Sequence, residues 1–104
     1  MATSSASPVN GRVSYAEMAV VLSNAVRWRV LAQLFKEDLL DVTELARRVG
    51  QNRSNLSKQL AVLRKHGVVE QWRAKLYRIP AKFRVAGEAI LDFGSVILRM
   101  DEVK

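Results

Sequence analysis

Apolar positions recur along this chain at two different spacings, and the spacing changes once. Tyr15–Leu22 is almost uniformly apolar and predicts a short helix. Ser23 and Asn24 are good helix-capping types and can start a second helix. Its buried stripe would be Val26, Val30, Leu31, Leu34 and Phe35, and Lys36-Glu37-Asp38 ends it in a polar connection. A third helix follows in Asp41-Val-Thr-Glu-Leu-Ala-Arg-Arg-Val-Gly50. Asp41 or Thr43 can cap it, Glu44 suits its first turn, Arg47 and Arg48 suit its last, and Gly50 supplies a left-handed stop. Only Gln51 intervenes before Asn52, another capping type, and a further helix runs Arg53–His66 up to Gly67. Two short helices joined by about three or four residues with a glycine at the break form a helix-turn-helix layout.

Beyond Gly67 the period shortens. Val68–Trp72 and Lys75–Ile79 are rich in β-branched and aromatic residues, with Arg73-Ala74 between them as a two-residue hairpin tip and Pro80 as the stop. The final segment reads as a helix again, with Phe83, Ala86, Ile90, Phe93, Ile97 and Met100 on one stripe. Residues 1–13, Ser/Ala-rich with Pro8 and Gly11, read as a disordered tail. The expected organisation is one domain over 14–104, mainly α with a small β-hairpin. It has about five helices, with the helix-turn-helix at 42–66, the hairpin at 68–79 and a C-terminal helix at 81–101.

Composition removes several classes of function. The 104 residues include no cysteine and one histidine, His66, which excludes disulfides, thiolate nucleophiles and cysteine-held metals. No Ser/His/Asp set, carboxylate pair, phosphate loop or metal cluster appears, so no enzyme, cofactor or metal site is expected. No apolar run approaches the ~20 residues that cross a bilayer, and the start lacks a signal-peptide core. The expected location is the cytoplasm, with no membrane partner.

Charge is the informative quantity. The chain carries +7, but Val42–Arg84 alone holds eleven Lys/Arg against Glu44 and Glu70. A basic middle between mildly acidic ends is the footprint of polyanion binding. On a helical wheel for 53–66, Leu56, Leu60 and Leu63 fall together, while Ser54, Lys58, Ala61 and Lys65 fall opposite, flanked by Asn55 and Ser57. One side docks on a core. The other offers short hydrogen-bonding groups and long cations, the side chains that read base edges or grip phosphates. Arg53, Ser54, Asn55, Ser57 and Lys58 lie where a recognition helix enters a groove. Arg64, Lys65 and His66 suit phosphate or the helix dipole.

These residues carry a family resemblance. Leu22-Ser-Asn-Ala-Val-Arg27-Trp-Arg-Val30-Leu31, then Thr43–Gly50 and Asn52–Gly67, and a hairpin closing on Tyr77 together resemble the winged helix-turn-helix of the ArsR/SmtB repressor family. The resemblance implies DNA contacts from Arg53, Ser54, Ser57, Lys58 and Gln59, with Arg73 and Lys75 at the wing tip. It also implies a homodimer built by the first and last helices.

The apolar C-terminal stripe points the same way. Phe83, Ala86, Ile90, Phe93 and Ile97, with Gly87 and Gly94 permitting close approach, would pair with Tyr15 and Met18 of the first helix across a two-fold axis. Two recognition helices would then address an inverted-repeat operator on double-stranded DNA.

The metal-sensing pattern of the family is missing. Asp41 and Thr43 stand where such relatives place Cys-x-Cys, and the last segment offers Glu88, Asp92, Asp101 and Glu102 but no histidine. An effector, if present, would be a small organic molecule or a protein, and Trp28, Trp72, Phe83 and Phe93 are the aromatics that could line a pocket. The expected function is a dimeric, sequence-specific transcriptional repressor. The alternative is a winged-helix module that binds RNA or a partner protein.

Overall fold

The computed structural model describes residues 12–101, so most of the expected tail lies outside the described residues. Local signals account for the helical half. Helix α1 spans Tyr15–Leu22, with Ser14 accepting from the Glu17 backbone N–H. Helix α2 spans Ala25–Lys36, with the Asn24 side chain accepting from both Val26 and Arg27. Helix α3 spans Val42–Val49, capped by Asp41 rather than Thr43 and ended by Gly50 at φ 70°. Helix α4 spans Arg53–Lys65, capped by Asn52, with His66 as its C-cap. The turn between α3 and α4 is thus Gly50-Gln51-Asn52.

The core gathers one stripe from each helix. Met18 and Val21 of α1, Val30, Leu31 and Leu34 of α2, Leu45 and Val49 of α3, and Leu56, Leu60 and Leu63 of α4 are buried together. Each such side chain contributes about 2 kcal/mol on removal from water. Those three leucines fix which face of α4 is left outside.

The hairpin forms, with two differences from expectation. Strand β2 is Glu70–Trp72 and β3 is Leu76–Arg78, paired so that Trp72 lies opposite Leu76. The tip therefore has three residues, Arg73, Ala74 and Lys75. Arg73 takes φ 51°, and Gln71 Nε2 donates to the Ala74 carbonyl across the turn. A two-residue strand before α3, β1 at Leu40–Asp41, adds to the other edge of β3, giving the order β1-β3-β2. This ties the wing to the start of the helix-turn-helix.

The C-terminal helix expected over 81–101 does not form. After a 3-10 turn at Ala81–Phe83, β4 (Ile90–Asp92) and β5 (Ile97–Arg99) pair antiparallel. Burial alternates: Leu91, Phe93 and Met100 point in, while Asp92, Ile97 and Arg99 point out. Gly87 (φ 77°) and Gly94 (φ 90°) sit at turns that a helix could not hold. Both glycines would have cost a helix ~1 kcal/mol apiece.

The hairpin also reaches the start of the described chain. Val13 bridges Gly94, its N–H donates to Phe93 O at 2.9 Å, and Ser95 Oγ donates to Val13 O at 2.7 Å. Val13 is buried, so the last residue of the expected tail belongs to the folded core. Phe83 and Phe93 stack there, their ring centroids 4.7 Å apart.

This rearrangement redistributes the expected dimer residues. Met18, Phe83 and Phe93 are buried in the chain's own core and are not available to a second copy. Gly94 backs onto the Arg12 side chain. Tyr15, Ala86, Gly87 and Ile97 are exposed, and Ile90 is half-buried.

Candidate nucleic-acid interface

With Leu56, Leu60 and Leu63 committed to the core, α4 turns Arg53, Ser54, Ser57, Lys58, Ala61, Arg64 and Lys65 to solvent. No acidic residue occurs between Glu44 and Glu70, so nothing on this helix neutralises it. The surface is flat in chemistry as well as in charge: hydroxyls near the N-terminus, a methyl at Ala61, and cations along the length.

The eleven basic residues of 42–84 separate into two populations. Arg47 and Arg48 both donate to Glu44, and Arg48 also reaches Glu37 at 2.8 Å. The hydrogen bond from Arg47, then that from Arg48, pushes the Glu44 carboxyl down to about 2. Arg78 pairs with Glu70 at 2.7 Å. Arg84 donates to the Leu34 and Phe35 carbonyls and lies 3.7 Å from Asp38, closing the C-terminal end of α2. These four serve the fold. Arg53, Lys58, Arg64, Lys65, Arg73, Lys75 and Lys82 make no ion pair among the described residues. Except for Lys82, they lie on α4 and at the wing tip.

The wing carries its own aromatic support. Trp72 is about one-third exposed, with the Arg78 guanidinium 4.3 Å and that of Arg73 5.5 Å from its ring. Such stacking orients a guanidinium without neutralising it. Trp72 stands on the wing and Phe83 and Phe93 fill the core, so these aromatics serve separate places.

Two residues expected at DNA are engaged within the protein. Gln59 is half-buried and its Oε1 accepts from Arg27 Nη1 at 2.7 Å. Asn55 donates its amide to Gln51 Oε1 at 2.6 Å. Arg27 itself donates through Nε to Val21 O at 3.1 Å and through Nη2 to Val20 O at 2.8 Å. One guanidinium therefore joins the end of α1, the start of α2 and the middle of α4. The family pattern that begins at Leu22 contains Arg27, but spacing alone assigns it no task. At the far end of α4, His66 Nδ1 lies 3.1 Å from Glu17 Oε2 on α1, and that hydrogen bond is the main cause of a lowered Glu17 carboxyl pKa.

Among the described residues no helix is long and apolar enough to cross a membrane. The arrangement as a whole is a winged helix-turn-helix whose exposed helix and wing tip share one unneutralised basic surface.

Comparison with known proteins bears on this surface. Residues 24–71 match the family described as bacterial regulatory protein, arsR family. No curated protein sequence matches the chain. Among solved structures, the AntR antimony-specific transcriptional repressor is 32% identical over 73% of this chain and 79% of that one, with a TM-score of 0.55. NolR from Sinorhizobium fredii is 31% identical over 62% of this chain and 67% of that one, with a TM-score of 0.58. The homodimeric DNA-binding domain of Mb0332 from Mycobacterium bovis, a possible ArsR-family transcriptional regulator, is 30% identical over 62% and 61%, with a TM-score of 0.57. The family match spans α2, α3 and α4, and the chain belongs to the ArsR family of bacterial regulatory proteins, DNA-binding transcriptional regulators rather than enzymes.

Proposed function

We propose that this protein is a homodimeric repressor that reads an inverted-repeat operator with α4 and does not sense metals through thiolates. The observation that carries the reading is the acid-free outer face of α4, with Ser54, Ser57 and Lys58 exposed above a fully buried leucine stripe. Short hydroxyls and a lysine at the N-terminal half of such a helix suit base edges, and the flanking cations suit phosphates.

The dimer reading rests on α1. Its eight residues include one charged side chain, Glu17, yet Tyr15, Ala16, Ala19 and Val20 are exposed on one strip. A helix apolar all round is normally covered on all sides. Ala16 and Ala19 leave room for a second α1 to approach, and Ile97 on the C-terminal hairpin is exposed as well. The absence of cysteine from the sequence removes the soft ligands that thiophilic metals require.

The test is fluorescence anisotropy with a duplex selected from a random-sequence pool, against a scrambled duplex and a structured RNA, across salt. The reading requires the selected duplex to bind ~10³-fold or more tightly than the scrambled one. Equal binding to RNA, or a light-scattering mass near 11.7 kDa at micromolar concentration, would overturn it.

A further inference from the structure

The C-terminal hairpin lies beyond residue 71, where the family match ends, and its two edges differ. The outer edge of β4 is closed by the chain itself, since Arg84 bridges Leu91 and the Val85 N–H donates to Ile90 O at 3.3 Å. No strand pairs with the outer edge of β5 among the described residues. We infer that β5 of a second copy of this chain docks antiparallel on that edge, Ile97 facing Ile97 of the partner subunit. The two hairpins then form one four-stranded sheet across the two-fold axis. The inference rests on the homodimer reading above and adds to it a contact that no helix provides.

The β4–β5 ladder fixes which backbone groups face outward. The Phe93 N–H donates to Val96 O and the Met100 N–H to Ala89 O, with Leu91 opposite Leu98 between them. Bonded and unbonded pairs alternate in an antiparallel ladder, so Val96, Leu98 and Met100 turn their backbone groups to β4. Ile97, opposite Asp92, turns its N–H and C=O away. Its side chain is 61% exposed, at a position where edge strands commonly carry a charge that deters pairing.

Symmetry, position and charge argue for a second copy as the occupant. Of the two-fold registers open to this edge, the one centred on Ile97 sets two apolar side chains opposite each other. A centre on Arg99 would oppose two guanidiniums, and a centre on Leu98 would set Ile97 against one.

The edge also starts beside α1. Ser95 Oγ donates to Val13 O at 2.7 Å, Tyr15 is two residues from Val13, and Ile97 is two residues from Ser95. At ~3.6 Å per residue, Tyr15 and Ile97 stand within about 20 Å of each other, so one two-fold axis can serve both. Tyr15, Val20 and Ile97 are three of the four large apolar side chains exposed among the described residues, and the fourth, Trp72, belongs to the wing. Charge permits the approach, because the excess of cations lies in 42–84 while 85–101 holds Arg99 against Glu88, Asp92 and Asp101. In the Ile97 register the two Asp92 positions are three strand spacings apart, about 14 Å, which exceeds the ~8 Å Debye length at physiological salt.

The experiment reads mass, cross-linking and amide exchange on the full chain. Light scattering at micromolar concentration should give twice 11.7 kDa for the wild type. The sequence has no cysteine, so I97C carries a single thiol. A short bis-maleimide should join two I97C chains, whereas A61C, exposed on the outer face of α4, should stay unjoined. By hydrogen-exchange mass spectrometry, the wild-type peptide spanning Ile97 should exchange about tenfold more slowly in the dimer than after dilution to the monomer. I97K and I97P should each raise the dimer dissociation constant about tenfold or more. Their far-UV circular dichroism should be unchanged, because the Ile97 N–H takes no part in the β4–β5 ladder.

A dimeric wild type in which I97C stays unjoined and I97K leaves the mass unchanged would overturn strand pairing and leave α1 as the interface. Slow exchange at Ile97 that is the same at every protein concentration would overturn it in favour of cover by the chain's own segment 102–104. A wild-type mass near 11.7 kDa would instead overturn the homodimer reading itself, before any variant is made.

Discussion

Replacing Arg27 with alanine should loosen the recognition helix without touching DNA. The guanidinium makes hydrogen bonds to Val20 O, Val21 O and Gln59 Oε1 at 2.8, 3.1 and 2.7 Å. A hydrogen bond to a charged group contributes roughly 1.5–3 kcal/mol when sheltered. Arg27 is half-buried and the Val20 bond is exposed, so the low end applies to one bond and about 1 kcal/mol or less to each of the others. The total, about 2–3 kcal/mol, is a large part of the 5–15 kcal/mol typical of a domain. At about 4–8 °C per kcal/mol, R27A should melt some 10–20 °C lower.

The Gln59 bond is isolated by a double-mutant cycle. Urea unfolding of R27A, Q59A and R27A/Q59A should return a coupling energy of about 1 kcal/mol. R27K, with a single ammonium in place of the fork, should recover only part of the loss. The reasoning is refuted if the two substitutions are additive in stability while Q59A alone weakens the selected duplex and spares the scrambled one. Gln59 would then be a base contact and its bond to Arg27 incidental.

Other outcomes follow from single contacts. K58A should cost the selected duplex ~1–3 kcal/mol more than the scrambled one by anisotropy, because Lys58 is exposed at mid-helix with no ion pair among the described residues. G94A should destabilise more than G87A in urea melts. Both incur the ~1–2 kcal/mol of a left-handed backbone, but a Cβ at 94 would lie 2.5–2.7 Å from Arg12 side-chain atoms, whereas at 87 it meets open space. For acid stability, Glu44 titrates near 2 in the folded chain against an ordinary 4.5. Its lowered pKa stabilises the fold fully above that ordinary value and progressively less as pH falls from 4.5 toward 2. E44Q should therefore show a smaller drop in melting temperature across that window, and an unchanged drop would refute the role of Arg47 and Arg48. Among dimer contacts, A19E should shift the light-scattering mass toward that of one chain, since it places a charge on the exposed apolar strip of α1.

The helix-turn-helix and its outward chemistry are legible in local residue types alone. Asn24, Asp41 and Asn52 cap helices by bonding N–H groups two or three residues away, and Gly50 stops one through its own φ. Those contacts are local, so periodicity and capping types suffice to read them. The leucines of α4 then dictate which face is left exposed.

Tertiary structure alone decided the rest. Residues 81–101 offer apolar positions that satisfy a helical spacing as well as a strand alternation, and the choice depends on partners far along the chain. Val13 bonds the turn at Phe93–Ser95, and Arg84 both bridges Leu91 and closes α2. The pairing of β1 with the wing and the division of the arginines into paired and unpaired sets are non-local in the same way. A carboxylate 11 residues from its arginine, as Glu37 is from Arg48, leaves no signature in spacing. Helix ends are written in neighbouring residues, whereas strand partners and ion pairs are set by which surfaces the folded core brings together.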